Sequence, residues 1–437
     1  MSSPPPPPPA AETPNPYPPL AQQGGGHGAR LPYMPGVDGL RALAVATVFI
    51  FHAGGEWLPG GFLGVDFFLV ISGYLITSLL VAEYRSGGKL DLWRFWLRRV
   101  RRLIPALLLA IAGTLVAMLI LHWEEVARLK GAVVSAFAYV TNWYFVFADV
   151  PYIERFGRPN VFTHLWSLAV EEQFYLFWPL VLAVILVVFR LKPWIIGVLA
   201  VLGAAGSSWL AWHLYDPYAL PWRIYYGTDT RAVGLFVGIV GAILLPPARL
   251  VPIRSWIGRW GMEIIGLAAL AGVVWCMFTI DEFESRLYQG GMLMLAIPAI
   301  VLIIVTAHPD SWMGKFWGLP VLVWVGARSY GMYLWHWPVL MLTRSGDDVA
   351  ISGAPLVTIQ IMLVVGISAL SYRFVEQPIR KNGLTGLRRA FATYDGKWKE
   401  HPAQTIAAWL GVVAVVALIA LVVLAPDSPQ LLPWQRG

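Results

Sequence analysis

Charged residues are scarce in this sequence. Asp, Glu, Lys and Arg make up 13% of its 437 residues, against about 25% in a typical soluble globular protein. Hydrophobic residues make up 57%, and 22 tryptophans and 17 tyrosines are among them. Because so few charges cannot cover a water-facing surface, the composition excludes a soluble enzyme, a disordered protein and a secreted disulfide scaffold.

Cysteine is nearly absent as well. The single residue, Cys276, lies within an apolar run, which excludes a disulfide framework and a cysteine-rich zinc site. The chain also lacks a GxxxxGK[ST] loop, a GxSxG elbow and an HExxH pair, so ATPase, serine-hydrolase and zincin chemistry are not indicated. The formal charge of +7 comes mostly from short basic blocks beside apolar runs. There Lys and Arg orient a chain in a membrane, and we expect no nucleic-acid partner.

Long apolar runs recur from residue 38 to the end of the chain. Each provides close to the ~20 residues that a helical crossing needs, and a helix satisfies its own backbone hydrogen bonds within lipid. The sequence therefore predicts an all-α polytopic membrane protein with a ten-helix core and one additional C-terminal transmembrane helix. The predicted spans are 38–56, 61–83, 103–122, 165–189, 194–214, 230–246, 258–279, 290–307, 320–342, 355–374 and 404–425.

The segments outside these spans differ from them in composition. Residues 1–35 are rich in Pro and Gly and are predicted to form a disordered cytoplasmic tail. The main domain covers 36–382. It is followed by a basic cytoplasmic linker at 383–403, the additional helix at 404–425 and a short extracytoplasmic tail at 426–437.

Basic residues set the predicted topology. A further apolar run, Gly131–Ala148, could either cross the membrane or lie on, or re-enter, its outer face. If the run does not cross, all four basic blocks of the chain fall on the same side of the membrane. Because Lys and Arg concentrate on the cytoplasmic side, we favour this arrangement. The sequence thus predicts a multi-pass plasma-membrane protein with a cytoplasmic N-terminus and an extracytoplasmic C-terminus.

Ionisable residues within the spans are candidates for chemistry, since each costs about 2.5–3.5 kcal/mol at the centre of a membrane helix. The first span contains Arg41 and His52, eleven residues apart. That spacing places both on one helix face, about 16 Å apart along the axis. A snorkelling arginine and a hydrogen-bonded core histidine are the structural alternative.

Further ionisable residues are expected to share the depth of His52, in the outer half of the bilayer. A network of paired side chains is the structural interpretation of such a set. Two carboxylates beside a histidine are also typical of a general base, because they orient the imidazole and raise its basicity. The set consists of Asp66, Glu171, Glu172 and His336, and His164 lies seven residues before Glu171 on nearly the same helix face.

An arginine cluster precedes the third span and comprises Arg98, Arg99, Arg101 and Arg102. A topology anchor explains most such clusters. The repeated Arg-x-x-Arg spacing stacks guanidinium groups on a helix face, and these suit phosphate, so a phosphorylated cytosolic ligand is the alternative. Arg231, at the outer mouth of the sixth span, fits an ion pair and a substrate contact equally well.

Six motifs, in order, carry a family resemblance. They are GVDGLRALAVATVFIFH, GGFLGVDFFLVISGYLIT, FWLRRVRRLIPALLL, HLWSLAVEEQFYLFWP, SYGMYLWHWP and SYRFVEQPIR, within residues 34–382. In these motifs the sequence resembles membrane acyltransferase family 3, the bacterial integral-membrane O-acyltransferases. The resemblance implies transfer of an acyl group, often acetyl, from a cytosolic acyl-CoA to a hydroxyl on a glycan, glycolipid or antibiotic.

The resemblance also implies that Arg41, His52, the arginine cluster and the VEEQFY glutamate matter to activity, with Glu171 favoured over Glu172. Combined with the spacing, it predicts that Arg41 and the cluster hold acyl-CoA phosphates. His52, oriented by Glu171 or Asp66, would act as a base or carry the acyl group. The supporting or acceptor-side residues are His336, His164, Arg231 and Tyr333. We expect acyl-CoA, a glycan or glycolipid, the bilayer and an envelope-biosynthesis protein as partners, without a metal ion or bound prosthetic group.

One departure from the family and two competing functions stay open. Many members with an extra terminal span carry an SGNH hydrolase-like domain after it, whereas only residues 426–437 follow the last span here. A stand-alone form, a truncated sequence and a domain supplied by a partner all fit that observation. The competing functions are a transporter or flippase that uses the buried residues as a proton relay, and a scaffold of an envelope-biosynthesis complex.

Overall fold

The computed structural model describes residues 31–148 and 158–382. These residues are predominantly helical and contain no β-strand, which confirms the predicted all-α class. The predicted span at 404–425 lies outside the described residues, as do the linker at 383–403 and the tail at 426–437. The helices are α1 (Pro35–His52), α2 (Gly64–Gly87), α3 (Leu92–Leu121), α4 (Lys130–Phe137), α5 (Thr141–Phe147), α6 (Leu165–Ala183), α7 (Trp194–Leu214), α8 (Trp222–Tyr226), α9 (Thr228–Arg231), α10 (Val233–Leu244), α11 (Trp256–Thr279), α12 (Met292–Ala307), α13 (Trp312–Trp317), α14 (Pro320–Leu342), α15 (Gly353–Ser371) and α16 (Gln377–Asn382).

Seven helical stretches of the described chain are long and apolar enough to cross a membrane. Their outward faces expose Trp, Phe, Leu and Val side chains, as expected of a surface in contact with lipid tails. The chain is therefore a multi-pass membrane protein. The seven stretches are Gly61–Gly87, Leu92–Leu121, Leu165–Val188, Trp194–Leu214, Trp256–Thr279, Leu287–Ala307 and Gly353–Arg380.

Helices α1 and α14 lie at the centre of the bundle and carry polar residues on their buried faces. Asp38 of α1 and His336 of α14 are 6% and 1% exposed. The two backbones touch near their N-terminal ends, where a Cβ atom on Gly326 would lie 1.7 Å from the carbonyl oxygen of Asp38. Only glycine permits this approach, so Gly326 fixes the parallel pairing that brings His52 and His336 together at the other end.

Helices α2 and α10 pack with similar closeness. A Cβ atom on Gly238 would lie 2.3 Å from the backbone oxygen of Val70, and one on Gly73 would lie 2.2 Å from that of Leu235. Backbones this close leave no room for side chains between them. The contact brings the start of α2 against the short helix α9 that precedes α10.

The segment Gly131–Ala148 contains two short helices. Helices α4 and α5 have 8 and 7 residues, and Tyr139 between them adopts a left-handed φ of 53°. Neither has the ~20 residues of a crossing. Gln173 of α6 stabilises the break between α4 and α5. Its side-chain amide donates to the backbone oxygen of Tyr139 at 2.8 Å and to Oδ1 of Asn142 at 3.0 Å.

Helix α3 is longer than the predicted span at 103–122. It begins after Asp91, whose side chain accepts from the backbone N–H of Arg94 at 2.9 Å, and it continues for 30 residues. The arginine cluster and the apolar run that follows it therefore belong to one continuous helix. This continuity allows one face of the cluster to point into the bundle.

Candidate active site

Three histidines lie together where α1 and α14 meet the start of α6. The Nε2 atom of His336 lies 3.2 Å from the Nδ1 atom of His52, and the ring of His164 meets that of His336 edge-on with centroids 5.5 Å apart. The ring of Trp337 packs against His52 at 4.9 Å. His164 and His336 are buried, and His52 is partly exposed. We call His52, His164 and His336 the histidine layer.

The hydrogen bonds of this layer assign protons to the imidazole nitrogens. The Nδ1 atom of His336 lies 2.5 Å from the backbone oxygen of Tyr333, which only accepts, so Nδ1 of the neutral ring carries the proton. Its Nε2 atom then accepts the hydrogen on Nδ1 of His52. This assignment leaves the Nε2 lone pair of His52 free, as a general base requires.

His164 presents a second unprotonated nitrogen. Its Nε2 atom lies 3.1 Å from the backbone oxygen of Leu334, so the proton is on Nε2. The buried Nδ1 atom has no hydrogen-bond partner among residues 31–148 and 158–382. Tyr333 holds the backbone here, because its hydroxyl donates to the backbone oxygen of His164 at 3.0 Å and hydrogen-bonds Ser167 at 2.6 Å.

A second group of ionisable residues lies further from the C-terminal end of α1 than the histidine layer, on helices α1, α3 and α6. Arg41 precedes His52 by eleven residues on α1, about 16 Å along the axis. Its guanidinium lies 3.7 Å from Asp38 and interacts electrostatically with Arg102 and Glu171. We call this group the charged layer. It comprises Asp38, Arg41, Arg99, Arg102, Glu171 and Glu172.

Hydroxyl groups and arginines surround the two glutamates. The hydroxyls of Ser72 and Tyr175 both donate to Glu171, and they lie 2.9 Å from each other. The guanidinium of Arg99 stacks over the ring of Tyr175 at 4.7 Å and interacts electrostatically with Glu172. The glutamates are therefore counter-charges to the arginines of α3.

The arginine cluster divides between two faces of α3. Arg99 and Arg102 point inward and interact with the acidic residues of α6. Arg98 is exposed and interacts with Glu83 instead. Arg101 is half-buried like Arg102, and its Nε atom is buried without a hydrogen-bond partner among the described residues. The inward face belongs to the charged layer, and the outward face has the surroundings of a cytosolic anchor.

The expectation that all these ionisable residues share one depth is wrong. Helix α1 ends at His52, so the imidazole lies at the end of its helix. Glu171 follows His164 by seven residues on α6, about 10 Å along the axis, and it interacts with Arg41 in the charged layer. The residue that hydrogen-bonds the ring of His52 from another helix is His336, and not Glu171 or Asp66 as expected.

Asp66 forms a buried ion pair in place of the expected contact with His52. Both of its carboxylate oxygens accept from Nη1 of Arg231, at 2.9 and 3.1 Å, and the two side chains are 4% and 0% exposed. Arg231 also donates from Nε to the backbone oxygen of Tyr225 at 2.8 Å. Since either charge alone would be costly at this burial, the pair ties α2 to α9.

Asp348, in the loop between α14 and α15, joins the ends of two helices. It accepts from Arg158 and lies 3.3 Å from Nε2 of His122, which caps α3. Burial raises the pKa of Asp348, but the hydrogen bonds from Arg158 and from the backbone of Arg344 outweigh it and lower the pKa to about 2. A carboxyl with a depressed pKa stabilises the fold at neutral pH.

We expect Asp348→Asn to lower the free energy of unfolding by about 1.5–3 kcal/mol at pH 7, because Arg158 loses its charged acceptor. The difference from wild type should begin to shrink below about pH 4, the pKa of an unfolded Asp, and should vanish below about pH 2, once wild-type Asp348 is protonated. Thermal unfolding of wild type and Asp348→Asn in detergent, across this pH range, measures the difference in stability. The control is Asp347→Asn, whose side chain is 62% exposed, and an equal loss there would contradict the assignment.

Sequence reasoning missed three residues of the site. Asp38 precedes Arg41 by three positions and Tyr175 follows Glu171 by four, spacings that pair side chains on a helix and that could have indicated both. Ser72 has no such signal, because its partner Glu171 lies on another helix. Within the described residues, no group of three or more His, Cys, Asp or Glu is arranged to hold a metal ion.

The histidine layer and the charged layer both lie in a part of the chain that matches a known protein family. A family profile described as an acyltransferase domain matches residues 34–373, which contain both layers. The chain belongs to membrane acyltransferase family 3. Membership confirms the resemblance seen in the six motifs, and the matched range contains all of α1 to α15.

Several acyltransferase family 3 relatives are named for their reactions. The peptidoglycan O-acetyltransferase OatA of Listeria monocytogenes is 38% identical over 384 residues, covering 88% of this chain and 62% of that protein. The putative peptidoglycan O-acetyltransferase YrhL of Bacillus subtilis is 38% identical over 375 residues, covering 84% and 58%. A putative O-acetyltransferase of Staphylococcus aureus is 39% identical over 360 residues, covering 82% and 59%.

The chain spans about three fifths of the length of these curated relatives. No solved structure matches it.

Proposed function

We propose that this chain is a membrane O-acyltransferase that moves an acyl group, above all acetyl, from cytosolic acyl-CoA to a hydroxyl of a cell-envelope glycan or glycolipid. Family membership and the relatives named as peptidoglycan O-acetyltransferases support acyl transfer and a glycan acceptor. The observation that carries the proposal is the alignment, along α1, of an arginine-rich layer with an unprotonated imidazole nitrogen.

The separation of the two layers suits the donor. Arg41 and His52 are about 16 Å apart along one continuous helix. A phosphopantetheine arm extends roughly 18 Å by standard bond lengths. With its phosphates held in the charged layer by charge-assisted hydrogen bonds, the thioester reaches the histidine layer.

The histidine layer then supplies a base. The acceptor hydroxyl oxygen attacks the thioester carbonyl carbon while Nε2 of His52 takes the hydroxyl proton. The C–S bond breaks, and the proton passes from His52 to the departing sulfur, so that the products are an O-acyl ester and the CoA thiol. His336 accepts the hydrogen on Nδ1 of His52 and keeps Nε2 directed at the hydroxyl.

The remaining candidate residues take supporting roles. The unpartnered Nδ1 atom of His164 can accept a hydrogen bond from a hydroxyl of the acceptor, and Tyr333 positions His164. Glu171 and Glu172 balance the arginines of the charged layer and do not act on the acceptor. We assign Asp66 and Arg231 to folding.

The donor side of this arrangement is cytoplasmic and the acceptor side extracytoplasmic. Support comes from the basic residues of α3, which flank the charged layer at one end of the bundle, and from the concentration of such residues on the inner side of membranes. This gives the N-terminus of α1 a cytoplasmic location in the bacterial plasma membrane, within an acyltransferase domain at 36–382.

Incubating the purified full chain with labelled acetyl-CoA and peptidoglycan fragments or other envelope glycans tests the proposal. We expect the label to appear on the acceptor as a base-labile ester. A transporter or flippase would leave its substrate unmodified. Recovery of unlabelled acceptor alone, from protein that binds it, would overturn the proposal in favour of transport.

The two faces of α3 give a further expected result. Arg102→Gln should lower the affinity for CoA by about 10–100-fold, since a hydrogen bond to a charged group contributes about 1.5–3 kcal/mol. Arg98→Gln should have a smaller effect because exposed charges are screened by solvent. Calorimetric titration of both variants in detergent makes the comparison. A larger loss for Arg98→Gln would place the phosphates outside the charged layer.

A further inference from the structure

Trp337 lies beside the proposed base, and its indole is held in place by two segments. It follows His336 on α14, and its ring meets that of His52 at a centroid distance of 4.9 Å and an angle of 71°. The indole N–H donates to the backbone oxygen of Asn160 at 2.9 Å, in the turn that leads to His164. The end of α1 and the segment before α6 therefore fix its orientation.

Packing in the core does not account for this tryptophan. Trp335, two positions earlier on the same helix, packs against the hydrophobic core, and a Cβ atom on Gly113 of α3 would lie 2.5 Å from its ring. Trp337 is partly exposed and belongs to no core cluster of the described residues. The ring it meets is the partly exposed imidazole of His52. A large aromatic ring left open beside a reacting group is typical of a binding surface.

The indole of Trp337 can offer an incoming molecule only the face of its ring. Its N–H is a donor without acceptor capacity, and it is already bound to Asn160. The face of an aromatic ring carries partial negative charge, which attracts C–H groups of partial positive charge. A pyranose ring has C–H bonds on its faces and hydroxyls around its rim. Such a ring can lie on the indole while a rim hydroxyl extends to a neighbouring base.

We infer that Trp337 forms a sugar-binding subsite of the histidine layer, in which a pyranose ring of the acceptor stacks on the indole and presents one hydroxyl to Nε2 of His52. The inference rests on the proposed function. A hydroxyl within reach of a general base lies about 2.6–3.2 Å from its nitrogen. The sugar ring that bears this hydroxyl then reaches a neighbour whose centroid is 4.9 Å from that of the imidazole.

Steady-state kinetics of the purified full chain test the inference, with labelled acetyl-CoA as donor and peptidoglycan fragments as acceptor. Trp337→Leu should raise the KM for the fragments about 10-fold, at the upper end of what aromatic stacking contributes. It should leave kcat and the KM for acetyl-CoA unchanged, because His52 and the charged layer are intact. Trp337→Phe keeps an aromatic face and should recover most of the affinity for the fragments.

Trp57→Leu is the matched control. Trp57 lies in the loop five residues after His52, is 62% exposed and meets the ring of Phe278 at 6.0 Å. This variant should keep the wild-type KM for the fragments. An equal rise in KM in both variants would show a general effect of aromatic residues at this end of the bundle, and it would overturn the inference.

Two further results would overturn the inference while leaving the proposed function intact. One is a wild-type KM of Trp337→Leu for the fragments. The other is a lower kcat with an altered pH profile at unchanged KM, which would make Trp337 a support for the orientation of His52. Failure of the wild-type chain to acylate any glycan would instead remove the proposed function.

A measurement on unaltered protein guards against misfolding of the variant. Hydroxyl radicals oxidise accessible tryptophan rings, and the modified positions are read by mass spectrometry. We expect peptidoglycan fragments to protect Trp337 several-fold and to leave Trp57 unprotected. Equal oxidation of Trp337 with and without the fragments would overturn the inference.

Discussion

His52→Ala is expected to lower acyl transfer by about 10³-fold, in the range that a positioned general base contributes. The variant should still bind CoA, because the charged layer that holds the phosphates is about 16 Å away on α1. Transfer of label from acetyl-CoA to a glycan acceptor, measured beside a CoA titration, separates the two effects. Label found on wild-type protein without acceptor, and absent from His52→Ala, would show that His52 carries the acyl group.

Two variants make the His52 result specific. His213→Ala changes an exposed histidine of α7 that stacks on Trp209 at 5.0 Å, and it should retain wild-type transfer. His336→Ala should lose about 10–100-fold through misorientation of His52, and His336→Gln, whose amide oxygen can accept the same hydrogen, should recover part of that loss. Full transfer by His52→Ala at normal expression would refute its role as the base.

Asp66→Ala is expected to lower the free energy of unfolding by about 3–5 kcal/mol, the cost of leaving a buried charge without its partner. The stranded group is the guanidinium of Arg231, which is 0% exposed. Reduced yield of folded protein and a lower midpoint of thermal unfolding in detergent would show the loss. Whatever folded protein is recovered should bind CoA normally.

A double variant distinguishes this structural role from a catalytic one. Asp66→Leu combined with Arg231→Met removes both charges and should recover stability relative to Asp66→Leu alone, because the buried charge is gone. The folded double variant should also transfer acetyl groups. A stable double variant without activity would show that Asp66 or Arg231 takes part in the reaction.

Helix positions followed closely from the sequence, because a helix within a membrane is apolar along most of its length, whether it faces lipid or other helices. The predicted spans at 194–214 and 320–342 coincide with α7 and α14, and the span at 165–189 differs by one residue from the helical stretch Leu165–Val188. The third span was placed too late, since the arginines of α3 interrupt its hydropathy without interrupting the helix.

The relation between helices could not be predicted in the same way. Spacing along α1 correctly separated Arg41 from His52, but the depth of Glu171 relative to His52 depends on where two different helices begin and end. The ion-pair partner of Asp66 could not be predicted from the sequence either, because Arg231 lies 165 positions away.

Transfer across a sealed membrane tests the central claim most directly. Proteoliposomes with the protein in one orientation receive labelled acetyl-CoA on the side of the α3 arginines and glycan acceptor on the opposite side. The two-layer arrangement predicts labelled ester on the acceptor's side, and none with His52→Ala. Ester formed only when donor and acceptor share one side would contradict it.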